Sequence, residues 1–212
     1  KEIICNSGKI IATDMQLSAP ALTSADIKIQ VPAVYEERYI PSLLKICKDY
    51  EIKLLISLND LELPILSREK EKFESIGVKV VVSSPEVIDI CFDKYKTAQW
   101  VESLGLKVPQ TYINYNQAIK AIHKGYLKFP LIVKPRWGSG SIGIEIVEDE
   151  EELEMVYYLD KKKVMKSILA TASKGEDYLL IQEMIVGKEY GIDIINDFKG
   201  IYRGVSVKQK LA

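Results

Sequence analysis

Short apolar runs of strand length recur along the first part of the chain. They occupy residues 9–14 (KIIATD), 27–32 (IKIQVP), 52–58 (IKLLISL) and 78–84 (VKVVVSS). The run at 52–58 is continuously apolar, as strands that are buried on both faces of a parallel sheet tend to be. The pattern therefore predicts four strands in this part of the chain.

Amphipathic stretches separate these runs. Apolar residues at near-helical spacing predict one helix over Glu36 to Tyr50 and a second from Pro64 to Ile76, which Gly77 closes. Strands that alternate with helices in this order are typical of an open parallel sheet with helices packed on it. The first unit is therefore predicted to be a doubly wound α/β half-domain.

Two short helices predict a boundary after this unit. Ser84 and Pro85 supply an N-cap and a first-turn proline for a helix that ends near Cys91, and Asp93 can cap another that runs to Leu104. We therefore expect one domain over residues 1–92 and a second over residues 93–212.

The second part mixes strands and helices. It contains runs predicted to be strands at residues 111–113, 131–134, 144–147, 178–183, 189–195 and 200–207, a helix over 116–125, and an acidic helix start at 148–152. The last two strands are joined around Asn196 to Gly200 and are expected to form a hairpin.

Composition narrows the class of protein. A chain of 212 residues is long enough to bury a sizeable hydrophobic core. Its formal net charge of −1 gives no excess of positive charge that would favour nucleic-acid binding. Cys5, Cys47 and Cys91 are far apart and form no C-x-x-C motif, which favours a reduced, cytoplasmic protein. No apolar run approaches the roughly 18 residues that span a bilayer, so a membrane is not expected as a partner. Because the net charge is close to zero, a nucleic acid is not expected as a partner either.

Gly138, Gly140 and Gly143 have the spacing G-x-G-x-x-G, which also occurs in dinucleotide-binding proteins. That fingerprint requires a helix directly after the glycines, because the helix N-terminus holds the pyrophosphate. Residues 144–147 (IEIV) alternate and are β-branched, which favours a strand. An NAD-dependent oxidoreductase is therefore the weaker alternative. A protein kinase is excluded, since its H-R-D segment is absent and the single histidine, His123, precedes the loop.

A strand on each side of the glycines predicts a hairpin flap, with Lys134 on the strand that enters it. Glycines let backbone N–H groups approach phosphate oxygens, and a lysine adds a point charge. An ordinary glycine-rich turn is an equally good interpretation of this loop alone.

A second segment, QEMIVGKE at residues 182–189, could form a hinge between strands that binds the adenosine part of a nucleotide. Its backbone could pair with an adenine edge while Ile185 packs on the ring, and Glu189 could accept hydrogen bonds from ribose hydroxyls. The alternative is a plain connection between strands with solvated carboxylates.

Three ordered motifs resemble those of the ATP-grasp superfamily, in particular members like the carbamoyl phosphate synthase large subunit. They are residues 93–97 (DKYKT), 129–147 (FPLIVKPRWGSGSIGIEIV) and 181–194 (IQEMIVGKEYGIDI). The resemblance implies an α/β fold with an α+β second half. A truncated Rossmann-like pre-ATP-grasp domain would precede an ATP-grasp domain that has an antiparallel sheet and a glycine-rich flap.

The resemblance also implies roles for individual residues. Lys94 and Lys134 would contact the nucleotide phosphates, with Arg136 as a further candidate that could instead pair with the acidic helix. The expected ATP-binding residues are Lys94, Lys134, Gly138, Ser139, Gly140, Ser141, Gly143, Glu183, Met184, Ile185 and Glu189. Of these, Glu183, Met184 and Ile185 would lie at adenine and Glu189 at ribose, while Lys94 has an alternative as an exposed lysine at a helix start.

Departures from the family pattern matter as well. The synthase has an arginine where Lys134 stands and a longer glycine run, so carbamoyl phosphate synthesis itself is not expected. The acidic and asparagine ligands for Mg²⁺ are expected beyond residue 212, with none in this segment. The first strand and helix of the α/β unit are expected before Lys1, so the chain is interpreted as a fragment.

The function that the resemblance implies is that of an ATP-dependent carboxylate-amine ligase. It would use ATP and Mg²⁺, pass through an acyl phosphate, release ADP and phosphate, and take a small carboxylate and an amine as substrates. A nucleotide-binding regulatory module without catalysis is the alternative. The catalytic residues are unknown, and a homo-oligomer is left as an open alternative.

Asp60 and Glu62 directly follow a strand, at the edge where open α/β sheets bind their ligands, so they are candidates for substrate contact. Acidic residues are equally suited to the start of the next helix.

Overall fold

The fold is described from a computed structural model, which describes residues 8–138, 143–167 and 177–210. The chain divides into two compact units, residues 1–85 and 86–212. Each unit has its own hydrophobic core.

The first unit contains two pairs of parallel strands. β1 (Ile11–Asp14) pairs with β2 (Ile27–Gln30), and β3 (Leu54–Ile56) pairs with β4 (Lys79–Val81). The parallel direction agrees with the sequence prediction, but the described strands form two separate pairs instead of one continuous sheet. The strands are also shorter than the apolar runs, and β2 ends before Pro32, which has no N–H to donate to a ladder.

Two helices cover these strands. α1 (Tyr39–Asp49) and α2 (Leu63–Glu74) follow the predicted pattern, and short 3₁₀ helices occupy Pro20–Ser24 and Asp60–Glu62. α1 begins later than Glu36 because the Glu36 carboxylate and N–H both bond the backbone of Ala33 in a preceding turn. The core contains Val31, Val34, Tyr39, Leu43, Cys47, Leu66, Phe73, Val78 and Val80.

The second unit is built on an antiparallel sheet. Its strands are β5 (Thr111–Tyr112), β6 (Leu131–Pro135), β7 (Glu145–Val147) and β8 (Leu179–Glu183), in the spatial order β5-β8-β6-β7. A strand, β7, therefore follows Gly143 where a dinucleotide fingerprint would require a helix. This excludes the oxidoreductase alternative and confirms a glycine loop between two antiparallel strands.

The helices of this region are α3 (Pro85–Cys91), α4 (Lys94–Ser103), α5 (Tyr115–His123) and α6 (Glu150–Met165). Capping residues set where three of them begin, since the side chains of Asp93, Asn114 and Asp149 each accept backbone N–H groups of the first turn. β9 (Tyr190–Asn196) and β10 (Tyr202–Gln209) form the predicted hairpin, joined by a turn at Asp197 to Gly200.

The two faces of the antiparallel sheet differ in character. Leu131 and Val133 are fully buried and belong, with Ile181, to the core that residues of α5 and α6 complete. Side chains alternate across a strand, so Lys134 lies on the opposite face. Gln182 shares that face, because it pairs with Ile132 next to Lys134. The opposite face therefore carries Lys134 and Gln182 side by side.

Candidate functional site

A cleft of about 350 Å³ opens on the polar face of this sheet. Its walls come from α4 and from the segment that leads into β5, while Lys134 and Gln182 project from the sheet. The lining residues are Cys91, Lys94, Thr97, Ala98, Val101, Val108, Pro109, Lys134 and Gln182. The cleft therefore combines mostly apolar walls with two lysines, a combination typical of sites for anionic ligands with an apolar part.

Lys134 is held in this cleft by a chain of hydrogen bonds across three strands. Its Nζ donates to Gln182 Oε1 at 2.6 Å, Gln182 Nε2 donates to Thr111 Oγ1 at 2.7 Å, and Thr111 Oγ1 donates to the carbonyl of Pro109 at 2.8 Å. Burial lowers the pKa of Lys134 below its ordinary value of 10.5. The ammonium is therefore desolvated and bonded to a neutral amide, which leaves its charge available to an anion.

Lys94 lies at the start of α4 and is half-buried. Its Nζ donates to the carbonyls of Gly138 at 2.6 Å, Pro135 at 3.1 Å and Arg136 at 3.5 Å. The interpretation as an exposed, solvated lysine at a helix start is therefore wrong. The structure places the Lys94 ammonium at the entry of the glycine loop.

Arg136 bonds Asp93 with two parallel hydrogen bonds. Nε donates to Oδ1 at 2.9 Å and Nη2 donates to Oδ2 at 2.7 Å. The guanidinium also lies 4.8 Å from the ring centroid of Trp137, in cation-π contact. The expected alternative partner of Arg136 was the acidic helix, and the structure corrects this, because the carboxylate that it bonds is the helix N-cap Asp93.

Two glycines of the loop have backbone conformations that favour glycine. Gly138 has φ of 92° and Gly143 has φ of 70°. A Cβ atom added at Gly143 would lie 3.2 Å from Pro135 Cγ, so the loop returns close against the end of β6. Ser139, Gly140 and Ser141, the remaining predicted loop contacts, lie outside the described residues.

The hinge segment follows β8. The Glu183 N–H donates to the Gln110 carbonyl at 2.9 Å, and Glu183 Oε2 accepts from the Gln110 N–H at 3.1 Å, so this side chain is tied to the residue directly before β5. Met184 is half-buried and Ile185 is 65% exposed, which leaves the Ile185 side chain accessible to a ligand. Glu189 forms an ion pair with Lys210 across the base of the hairpin.

Asp60 and Glu62 lie in the first unit, in the 3₁₀ helix before α2. Glu62 accepts a hydrogen bond from Ser57 Oγ and another from the Tyr39 hydroxyl. Burial and the neighbouring Glu62 carboxylate raise the pKa of Tyr39, which keeps the phenol protonated as the donor. These contacts supply a structural role for Glu62 at the helix start.

Sequence reasoning missed Gln182, Thr111 and the partner of Asp93 as parts of the site. Gln182 gave a signal, since it is a polar residue in the otherwise apolar strand LLIQE and is 8% exposed. The Asp93 to Arg136 pair had no local signal. Within the described ranges, no group of three or more His, Cys, Asp or Glu side chains could hold a metal ion, and no helix has the length and apolar character needed to cross a membrane.

Two family models match this chain. A model described as "ATP-grasp domain" matches residues 91–211, which is more than half of the chain. A model described as "PylC-like, N-terminal domain" matches residues 1–81. The two matched ranges together cover nearly the whole sequence. The range that matches the ATP-grasp model, residues 91–211, contains every residue that lines the cleft.

Similar proteins and solved structures agree with these matches. The carbamoyl phosphate synthase large chain of Clostridium beijerinckii is 31% identical over 124 residues, which is 56% of this chain and only 10% of that protein. This chain therefore spans about a tenth of the length of that relative.

Two crystal structures share the fold. The biotin carboxylase domain of Hydrogenobacter thermophilus 2-oxoglutarate carboxylase, in complex with MgADP, ADP and bicarbonate, has a TM-score of 0.62 at 18% identity, over 87% of this chain and 40% of that one. N5-carboxyaminoimidazole ribonucleotide synthetase from Thermotoga maritima has a TM-score of 0.60 at 19% identity, over 97% of this chain and 47% of that one.

Proposed function

We propose, from the premise that the chain belongs to the ATP-grasp family, that it is the ATP-binding portion of an ATP-dependent ligase that joins a carboxylate to an amine. The observation that carries the proposal is the position of Lys134. Its desolvated ammonium projects into the cleft from the strand that enters the glycine loop, and it is bonded to the neutral Gln182.

The residues of the cleft fit a nucleotide. Lys134 supplies a positive charge in a place where burial weakens competition from water, so a phosphate gains more from it than from an exposed lysine. The backbone at Gly138 and Gly143 can approach phosphate oxygens because these positions carry no Cβ. The apolar wall of Ala98, Val101 and Val108 suits the uncharged part of a nucleotide.

We assign adenine to the hinge after β8. Ile185 is exposed beside the end of the strand, and Glu183 is fixed by its bonds with Gln110, so the backbone of Met184 would be presented in one orientation. Glu189 would face the ribose hydroxyls once it leaves its surface contact with Lys210, an exchange that costs little because both side chains are exposed.

ATP supplies the phosphoryl group that activates the carboxylate as an acyl phosphate, with ADP as the leaving group. The protein's own contribution is to hold the phosphates with Lys134 and the loop backbone and to neutralise the charge that spreads in the transition state. A loop that closes over the phosphates would also exclude water from the activated carboxylate. We expect the Mg²⁺ ligands outside the described residues.

We propose a boundary between the two functional regions at residues 92 and 93, and the contacts of Lys94 with Pro135 and of Asp93 with Arg136 support it. The substrates are proposed to be a small carboxylate and an amine. The free thiols of Cys47 and Cys91 support a cytoplasmic location.

The experiment is product analysis with the full-length protein. Mg-ATP is incubated with a panel of amino acids and small carboxylates, and ADP, AMP and phosphate are quantified. A carboxylate-dependent release of ADP and phosphate supports the ligase. Nucleotide binding without turnover across the panel would favour a regulatory module, and release of AMP would contradict the acyl-phosphate route.

A further inference from the structure

We infer that Asp93 and Arg136 act as a positioning pair for the glycine loop, through Lys94, and that Arg136 is not itself a phosphate ligand. The inference rests on the proposed function, since it concerns the loop that would cover the ATP phosphates. It assigns a role to two residues that lie 43 positions apart in the sequence and meet next to Lys94, which lines the cleft.

The pair is built as a rigid, nearly buried contact. The side chains are 15% exposed for Arg136 and 5% exposed for Asp93. Two parallel N–H to carboxylate bonds fix the plane of the guanidinium as well as its position. The rings of Trp137 and Tyr95 lie against the same guanidinium, with centroids 4.8 Å and 5.5 Å from Cζ. Arg136 therefore has little freedom to swing toward a phosphate.

Asp93 connects this contact to α4. Its Oδ1 also accepts the N–H groups of Tyr95 at 3.0 Å and Lys96 at 3.3 Å, so the same carboxylate caps the helix and holds the arginine. The Lys94 N–H donates to the Arg136 carbonyl at 3.2 Å. The first turn of α4 and the end of β6 are thus joined by both side-chain and backbone bonds.

Lys94 connects the first turn of α4 to the residues that lead into the glycine loop. Its Nζ meets the carbonyls of Pro135, Arg136 and Gly138, which are the last residues before the glycine turn. An ammonium has three N–H donors, and three carbonyl oxygens converge on this one. The shortest of these bonds, at 2.6 Å, goes to Gly138, which has a positive φ. Lys94 therefore holds the mouth of the loop in one conformation.

The consequence for binding is specific to phosphates. If the pair is broken, α4 and the end of β6 lose their fixed spacing, and the Lys94 ammonium no longer holds Gly138 where the loop begins. The backbone at Gly138 would then be held less well for contact with the phosphates, whereas the adenosine part, which the hinge would hold, would be little affected. Arg136 acting as a direct ligand predicts a different pattern, because loss of Asp93 would then free the guanidinium for the phosphates.

The test is a double-mutant cycle in the full-length protein with Asp93→Asn, Arg136→Met and the double variant. Asparagine is a good N-cap, so Asp93→Asn removes the charged pair and retains helix capping. Calorimetry measures affinity for ATP, ADP and adenosine. The positioning role predicts that each single variant weakens ATP and ADP binding about 10-fold and that the double variant adds little more, because all three break the same contact. Adenosine affinity should change less than about 2-fold.

Two controls complete the test. Arg203→Met removes an arginine that also bonds one aspartate, Asp197, through both Nε and Nη2, but does so in the β9 to β10 hairpin, and it should leave ATP affinity unchanged. Arg136→Lys keeps the charge without the two-bond geometry and should also bind ATP weakly. It replaces Arg136→Met if that variant fails to fold.

A readout without nucleotide is the emission of Trp137 in a Trp100→Phe background, which removes the other of the two tryptophans within residues 1–212. Trp137 is 8% exposed beneath the guanidinium, so breaking the pair should shift its emission to longer wavelength.

The outcomes separate this inference from the proposed function. If wild-type protein binds no ATP, the proposed function fails and this role fails with it. If wild type binds ATP and the variants bind equally well, or if Asp93→Asn tightens binding while Arg136→Met weakens it, the positioning role alone is overturned. Unchanged Trp137 emission in every variant would overturn it as well.

Discussion

The Lys134 ammonium donates to Gln182 Oε1 at 2.6 Å on the cleft face of the antiparallel sheet. The partner is a neutral amide, and its own N–H is turned away by the bond to Thr111. Lys134 is therefore oriented by a group that does not cancel its charge. This relationship explains how a buried lysine can be held in place while its charge stays available to an anionic ligand.

Gln182→Glu is expected to weaken ATP binding about 10-fold. A carboxylate at this position would pair with Lys134, favour the charged form of the lysine and compete with phosphate for the ammonium. Calorimetric titration with ATP measures the loss. Gln117→Glu, on the exposed side of the first turn of α5, is the matched control and should bind ATP as wild type does. Equal affinity in the two variants would contradict the orientation role of Gln182.

The pH dependence of ATP binding should follow Lys134. Burial lowers its pKa below 10.5, so the ammonium loses its proton, and with it part of the attraction for phosphate, as the pH rises through the lowered pKa. ATP affinity should therefore fall on the alkaline side before pH 10.5 is reached. Between the lowered pKa and 10.5 the unfolded chain binds more protons than the folded one, so this lysine's contribution to stability rises with pH in the same window.

Lys134→Arg separates this effect from other titrations. A guanidinium keeps its charge over the whole range, so the variant should bind ATP with a weaker pH dependence than wild type. Affinity is measured at several pH values up to 10 for both proteins. Two parallel profiles would show that another group is responsible for the alkaline loss.

Gly143→Ala should both destabilise the second unit and weaken ATP binding. The position has φ of 70°, and an added Cβ would lie 3.2 Å from Pro135 Cγ. Gly200→Ala is the matched control, because Gly200 has a similar φ of 76° but no atom within 4 Å of the added Cβ. Backbone strain of about 1 to 2 kcal/mol is expected in both variants. Only Gly143→Ala should lose more stability than that and bind ATP less tightly, as measured by denaturation and calorimetry.

Ile181→Ala tests the core that supports the sheet. Ile181, on β8, is fully buried in the core of the second unit, and truncation of such a residue costs about 2 to 5 kcal/mol. Ile194→Ala, at a side chain that is 65% exposed, should change the free energy of unfolding by less than about 0.5 kcal/mol. Urea denaturation followed by circular dichroism distinguishes them, and similar losses in the two variants would contradict the placement of the core.

Local patterns in the sequence predicted much of the fold. The alternation of IEIV predicted the strand that became β7, and this one element separated a loop between two strands from a dinucleotide site. Asp93 predicted the start of α4, because an N-cap acts on the residues directly after it. The hairpin of β9 and β10 was likewise visible as two apolar runs around a turn.

Contacts between distant residues could not be predicted in this way. Asp93 was visible as a helix cap, but its bond with Arg136 depends on how α4 lies against the end of β6. The periodicity of a strand shows which side chains share a face, yet the register that brings Gln182 beside Lys134 is set by pairing of β6 and β8. The Lys94 side chain points toward three carbonyls at and after the end of β6. This direction also depends on a contact between distant parts of the chain, so the sequence did not predict it.

Titration of full-length wild type and Lys134→Met with Mg-ATP in a calorimeter tests the central claim most directly. Methionine keeps the length and apolar stem of lysine and removes the charge, so a change in affinity reports the ammonium. The expected result is saturable binding by wild type and at least a 10-fold weaker affinity in the variant, with unfolding temperatures that differ little in the absence of nucleotide. No binding by wild type, or equal binding by both proteins, would contradict an ATP site built on Lys134.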